Sequence, residues 1–207
     1  AVNVPATWSA TQNMLWSVPL PGMGGATPAL WDNKLYVLSE NKDRTSSLLC
    51  IDAGNGKTIW EKPVSSKKGA RARGDEGNSV SASPCTDGKH LYVFVGTGEF
   101  VCFDMDGKVV WQFDAQERYG KFNIQFGISS TPVLHQNKLY WQLIHTDGQW
   151  VICINAVDGQ DVWKVQRPSD GHTENEHSYA SAVLWNKGEQ AYLVVHGNDY
   201  TTAHDLK

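Results

Sequence analysis

The densest polar run in this chain of 207 residues is Asp170 to His177, DGHTENEH. Imidazole nitrogen and carboxylate oxygen suit zinc and other divalent transition ions, so His172, Glu174, Glu176 and His177 form a candidate metal set. Their spacing fits no helix-borne metal motif, and a solvated polar loop accounts for the same composition. A second run, SSKKGARARGDEGN at 65–78, offers Arg71 and Arg73 as forks for an anionic ligand, unless it is simply a surface loop. A third, ERYGKFNIQFG at 117–127, adds Tyr119, Phe122 and Phe126, aromatics suited to a glycan, a peptide or a partner protein. His145, His177 and His196 fall next to strand ends, where they could face one mouth of the fold. The sequence contains no Gly-x-Ser-x-Gly elbow, Walker loop, His-Glu-x-x-His helix or dinucleotide fingerprint. No catalytic residue is assigned.

These runs lie between units that repeat. LLCIDAGNGKTIW at 48–60, FVCFDMDGKVVW at 100–111 and VICINAVDGQDVW at 151–163 share one order: an apolar run, an acid or amide, a Gly turn, then tryptophan. Aligning Trp16, Trp60, Trp111 and Trp163 gives intervals of 44, 51 and 52 residues, within the range of propeller blades. Each interval also holds a small-residue strand (GATPAL, SASPCT, SSTPVL, SYASAVL) and an alternating strand (KLYVLS, HLYVFVG, KLYWQLI, AYLVVHG). Four short strands joined by tight hairpins make one blade, which must stack on neighbours to bury its faces. The expectation is an all-β propeller of four-stranded antiparallel blades, with about four blades' worth of strands belonging to a larger ring of seven or eight. Residues 1–207 then read as one propeller region, with blade units at about 25–63, 80–114, 128–167 and 178–207. Residues 13–19 read as the outer strand of a further or closing blade. No segment keeps a helical period. Completion by the N-terminal strand, by self-association or by further chain are all open on these residues.

Composition narrows the function classes. The net charge of −4 carries no long block of either sign, which argues against nucleic-acid binding, and no apolar run is long enough to span a bilayer as a helix. Cys50, Cys102 and Cys153 occupy the same place in three units, too far apart for disulfides, and read as buried free thiols. The long connections, at about 65–79, 115–127 and 168–177, all fall on one face, where binding residues usually gather.

CIDAGNGKTIW and CINAVDGQDVW resemble the A-x-D-x-x-T-G-x-x-x-W tryptophan-docking motif of pyrroloquinoline-quinone-type (PQQ-like) propellers, with Cys for Ala and with Asn55 or Asp158 where Thr is usual. CFDMDGKVVW is one residue shorter. WSATQNMLWSVPLPGMGGATPAL and the late HSYASAVLW segment are similar to secreted planctomycete-type members. The resemblance implies that Trp16, Trp60, Trp111 and Trp163 dock adjacent blades, and it implies a periplasmic or secreted location. PQQ with calcium enters as a cofactor by this resemblance only. The quinoprotein reading would also need adjacent disulfide-bonded cysteines and a carboxylate–amide calcium site, a set not visible here. The leading expectation is a non-catalytic scaffold that binds a protein or small ligand on its long-loop face. The alternative is a quinoprotein or metal-assisted oxidoreductase.

Overall fold

The computed structural model describes residues 5–69, 77–167 and 169–207, with the side chain of Glu174 outside the described set. The first sheet comprises β1 (Gly22–Met23), β2 (Ala29–Trp31), β3 (Lys34–Asn41), β4 (Ser46–Asp52) and β5 (Thr58–Ser65), with β1 and β2 both pairing β3 as one interrupted inner strand. The second holds β6 (Cys85–Thr86), β7 (His90–Phe94), β8 (Glu99–Asp104) and β9 (Val109–Asp114), and the third β10 (Val133–His135), β11 (Lys138–His145), β12 (Gly148–Asn155) and β13 (Asp161–Gln166). The fourth has three strands, β14 (Val183–Lys187), β15 (Gln190–Gly197) and β16 (Tyr200–Asp205). All pairings are antiparallel between sequence neighbours, apart from the doubled inner strand. This is the architecture of consecutive propeller blades.

Hairpin chemistry explains the pairing. Asp32–Asn33 and Gln136–Asn137 sit at φ of 44°, 58°, 48° and 59°, the left-handed pair that a two-residue turn requires and that Asn and Asp tolerate best. The burial patterns then sort strands by depth. β4 and β12 have no exposed position because each middle strand is covered on both faces, whereas β5 and β13 leave half or more of their positions exposed on the outer rim. Three separate clusters fill the gaps between consecutive sheets, and none spans three sheets.

Two features depart from the sequence reading. A five-residue helix, α1 (Ala115–Tyr119), follows β9, and a 3-10 turn covers Thr173–Glu176. Asp114 nucleates α1 by accepting from Gln116 N–H (2.7 Å) and Glu117 N–H (3.3 Å), a local cap too short to produce a period. No described strand pairs with residues 13–19, which the sequence reading assigns to a further or closing blade.

The cysteines are free thiols, with Cys50, Cys102 and Cys153 buried and Cys85 half-buried. Each of the buried three lies across from a tyrosine on one side and a tryptophan on the other: Tyr36–Cys50–Trp60, Tyr92–Cys102–Trp111 and Tyr140–Cys153–Trp163. Burial pushes the thiols of Cys102 and Cys153 up to about 12 and about 11, which removes them from thiolate chemistry.

Candidate functional site

One face of the molecule carries the three long connections together with the β3–β4, β7–β8, β11–β12 and β15–β16 hairpins. The two sets are stitched by backbone. Gly69 N–H donates to Arg44 O, Gly96 N–H to Ser79 O, and Thr146 N–H to Asn123 O. Side chains extend the stitching: Lys67 reaches from β5's end to Glu99 (3.0 Å) and Asp114 on the second sheet, and Gln116 Nε2 donates to Thr97 O (2.9 Å). Glu40, buried beneath this face, accepts from Ser79 N–H (2.8 Å) and Ser79 Oγ (2.7 Å).

Within this face lies a cavity of about 270 Å³ between the first and second connections. Phe122, Ile124, Phe126 and Ile128 supply its apolar wall, while Lys67, Asn78 and Gln116 supply polar groups. Phe122 and Ile128 belong to the core beneath, so the wall is fixed from below. Phe126 remains 42% exposed, its ring 6.0 Å from that of Tyr179 on the segment leading into the fourth sheet. An apolar anchor on a polar-rimmed concavity is what a protein or peptide partner uses.

The candidate residues are distributed unevenly. His145 and His177 come together around the β11–β12 hairpin. His145 is fully buried, its Nδ1 accepting from Asn123 N–H at 3.5 Å, and its Nε2 has no partner among the described residues. Burial holds its pKa below the ordinary value; the Asp147 carboxylate opposes that shift and His177 adds to it. His177 Nε2 lies 2.9 Å from Thr146 Oγ1, and its ring meets Tyr179 edge-on. His196 is elsewhere, exposed on the face of β15 turned away from the third sheet and 2.8 Å from Thr201 Oγ1. Tyr119 turns inward, against Phe113 and Trp141, with its hydroxyl donating to Asp161. Arg71 and Arg73 lie outside the described residues. His172 is exposed beside the 3-10 turn, and among the described residues no three His, Cys, Asp or Glu side chains gather as ligands.

The tryptophans differ as well. Trp16 Nε1 donates to Ala53 O (2.8 Å) and Trp111 Nε1 to Ala156 O (2.9 Å), and each indole lies flat against the turn's glycine, Gly56 or Gly159. The turn facing Trp60 is one residue shorter, and its Gly107 packs on the Lys62 stem instead. Trp163 Nε1 is buried without a partner among the described residues. The carbonyl of Leu206, in the place of Ala53 and Ala156, accepts from Lys138 Nζ and Tyr140 OH, both at 3.1 Å.

A feature missed in sequence lines the inner edge of the sheets. Thr27 N–H donates to Ser83 Oγ, Ser83 N–H to Thr131 Oγ1, and Thr131 N–H to Ser181 Oγ, each at 2.9 Å. The signal was present: these are the residues just before Pro28, Pro84, Pro132 and Ala182. A residue before proline is held extended, which aims its hydroxyl at the neighbouring strand.

The family model described as outer membrane protein assembly factor BamB matches residues 44–203. The chain belongs to this family. The crystal structure of BamB from Moraxella catarrhalis is similar over 94% of the chain and 53% of its own length, at 15% identity and TM-score 0.58. Two quinohemoprotein alcohol dehydrogenases share the fold. ADHIIG from Pseudomonas putida HK5 matches over 87% of this chain and 30% of its own (17% identity, TM-score 0.60), and the Comamonas testosteroni enzyme over 70% and 21% (20%, 0.55). No curated protein sequence matches. The chain therefore spans about half of the BamB structure and under a third of each dehydrogenase. Its BamB-like, PQQ-type propeller fold does not by itself carry a reaction. The residues present do not fit a quinone and calcium site: the cysteines sit in separate sheets, the inner-edge hydroxyls named above are bonded sheet to sheet, and no carboxylate set gathers among the described residues. No helix among the described residues is long and apolar enough to cross a membrane.

Proposed function

We propose that this BamB-family propeller is a binding scaffold that takes a protein partner on its long-loop face, without chemistry of its own. The observation that carries the reading is the half-exposed Phe126–Tyr179 pair beside the polar-rimmed cavity, on a wall anchored in the core. Such a surface loses little order on binding, which favours affinity. The family description, an assembly factor for outer membrane proteins, favours a protein over a small ligand and a periplasmic or secreted setting. His145 and His177 belong to this reading as the polar support of the second and third connections, and Arg71 and Arg73 as charged groups of the first.

The test places a photo-crosslinking benzoylphenylalanine at Phe126, and in a parallel variant at Val157, which is 64% exposed on the opposite, short-turn face. In a bacterial cell exporting the chain, position 126 should capture a discrete protein that position 157 does not. Equal capture at both positions, or none at 126, overturns the reading. Dye reduction with alcohols or sugars after adding PQQ and calcium would also overturn it.

A further inference from the structure

The β11–β12 hairpin holds the connections on either side of it, and Asn123 is the residue it grips. Three consecutive hairpin residues take part. Asn123 N–H donates to His145 Nδ1 (3.5 Å), Thr146 N–H donates to Asn123 O (3.1 Å), and Asn123 Nδ2 donates to Asp147 Oδ2 (2.9 Å). Phe122, the preceding residue, is a wall of the cavity, and its ring lies 5.8 Å from the His145 imidazole. On the other flank Thr146 Oγ1 meets His177 Nε2 at 2.9 Å, and Ser178 N–H donates to Ile144 O (3.2 Å). The grip on Asn123 ties the Phe122 wall to the third sheet.

His145 makes this grip sensitive to protons. Because its Nδ1 accepts from a backbone amide, the neutral ring carries its hydrogen on Nε2. That nitrogen is buried without a partner among the described residues and lies over Gly148, where an added Cβ would come within 2.9 Å of it. A second proton has to go to Nδ1, which would then aim one N–H at another. The resulting imidazolium would hold two donors and no acceptor in a site with no exposure. Burial is the largest influence keeping the ring neutral. The titratable groups acting on it are Asp147, which favours the charged form, and His177, which disfavours it. The second connection meets the ring with Phe122 and Asn123, neither of them charged.

We infer that His145 is a proton-operated latch on the partner-binding face. Protonation at Nδ1 breaks the contact with Asn123, Asp147 exchanges its bond to Asn123 for one to the imidazolium, and the Phe122 wall comes free. The closed arrangement binds the proton less well than the open one, so it holds at neutral pH and is lost as pH falls. In acid the partner is let go. The latch rests on the partner-binding reading for that consequence, though not for its motion.

The experiment is hydrogen exchange of the intact chain, read by mass spectrometry and corrected for the intrinsic pH dependence of exchange, from about pH 7.5 to about pH 4.5, on both sides of the ordinary histidine value. Once His145 titrates, protection of residues 117–127 should fall about tenfold per pH unit, the slope that a single proton sets, while β12 keeps its protection. His145→Asn offers an amide oxygen in place of Nδ1 and takes up no proton, so its protection of 117–127 should not follow pH. Independently of any substitution, the imidazole resonances of His145 in the unaltered chain should titrate together with the loss of protection. Protection that ignores pH in the unaltered chain, protection lost alike in His145→Asn, or a His145 titration separate from the opening would each overturn the latch. Capture by benzoylphenylalanine at position 126, repeated at the two ends of this pH range, should fall in acid and persist in His145→Asn; equal capture at both ends overturns the link to the partner. No capture at any pH overturns the partner-binding reading alone, because exchange reads the latch without a partner.

Discussion

The junction between the second and third sheets and the junction between the third and fourth are built from the same repeat, yet they are held together differently. In the first, Trp141 inserts from β11 with no exposure, 4.5 Å from the Phe94 ring and edge-on to Phe100, and Trp111 closes the rim with a bonded indole. In the second, the place of Phe94 is taken by Gln142, buried and donating to Ser178 Oγ and His196 O at 3.0 Å. Arg167, 3% exposed, caps that junction by donating to the carbonyls of Gly197 (2.7 Å) and Tyr200. Aromatic packing fills one junction, whereas the other adds buried hydrogen-bonding side chains to its apolar cluster. The topology fixes where sheets meet, and the side chains at two or three positions choose the kind of force.

This contrast can be broken at several points. Trp141→Ala should cost about 3–5 kcal/mol in urea unfolding, since it empties the middle of the aromatic junction. Arg167→Met should cost about 1–3 kcal/mol, because it preserves the stem's bulk but strands the two carbonyls. If the two substitutions proved equally costly, the distinction between the junctions would fail. Inserting one alanine between Met105 and Asp106 would give the short turn the length of 52–58 and let Trp60 dock as Trp111 does. We expect a gain of about 1 kcal/mol, with blue-shifted tryptophan emission as the readout. An unchanged spectrum would show that turn length does not govern docking. The smallest effect concerns pH. His145 is held below its ordinary value by burial, so the unfolded chain takes up the proton first. The stability it contributes is complete above its unfolded pKa and is lost as pH falls through the folded one. Burial lowers His204 in the same direction, reinforced by Arg167. His145→Gln should flatten the pH dependence of the urea midpoint, and a slope unaltered by that substitution would assign it to other groups.

The comparison also separates what could be read in the chain from what could not. The tryptophan interval, the alternating strands and the Asn-containing turns are local, and each reports a backbone state that a few neighbouring residues decide; blade identity and the face bearing the long loops followed from them. α1 escaped because one cap and five residues carry no period. The hydroxyl chain had its pre-proline signal in plain view, but its bonds join residues 48 to 56 positions apart. His145 and His177 were legible as neighbours of strand ends, whereas the inward turn of Tyr119 was not. α1 and Asp161 decide that orientation together.

By itself, then, the sequence determined the repeat, the strand order within each blade and the free state of the cysteines, because periodicity and spacing encode short-range geometry directly. Only the tertiary structure decided which indoles find a carbonyl and which junction is filled by aromatic rings and which carries buried polar side chains. Those outcomes depend on distances between residues from different blades, set by the length of a turn or the bulk of a single facing side chain.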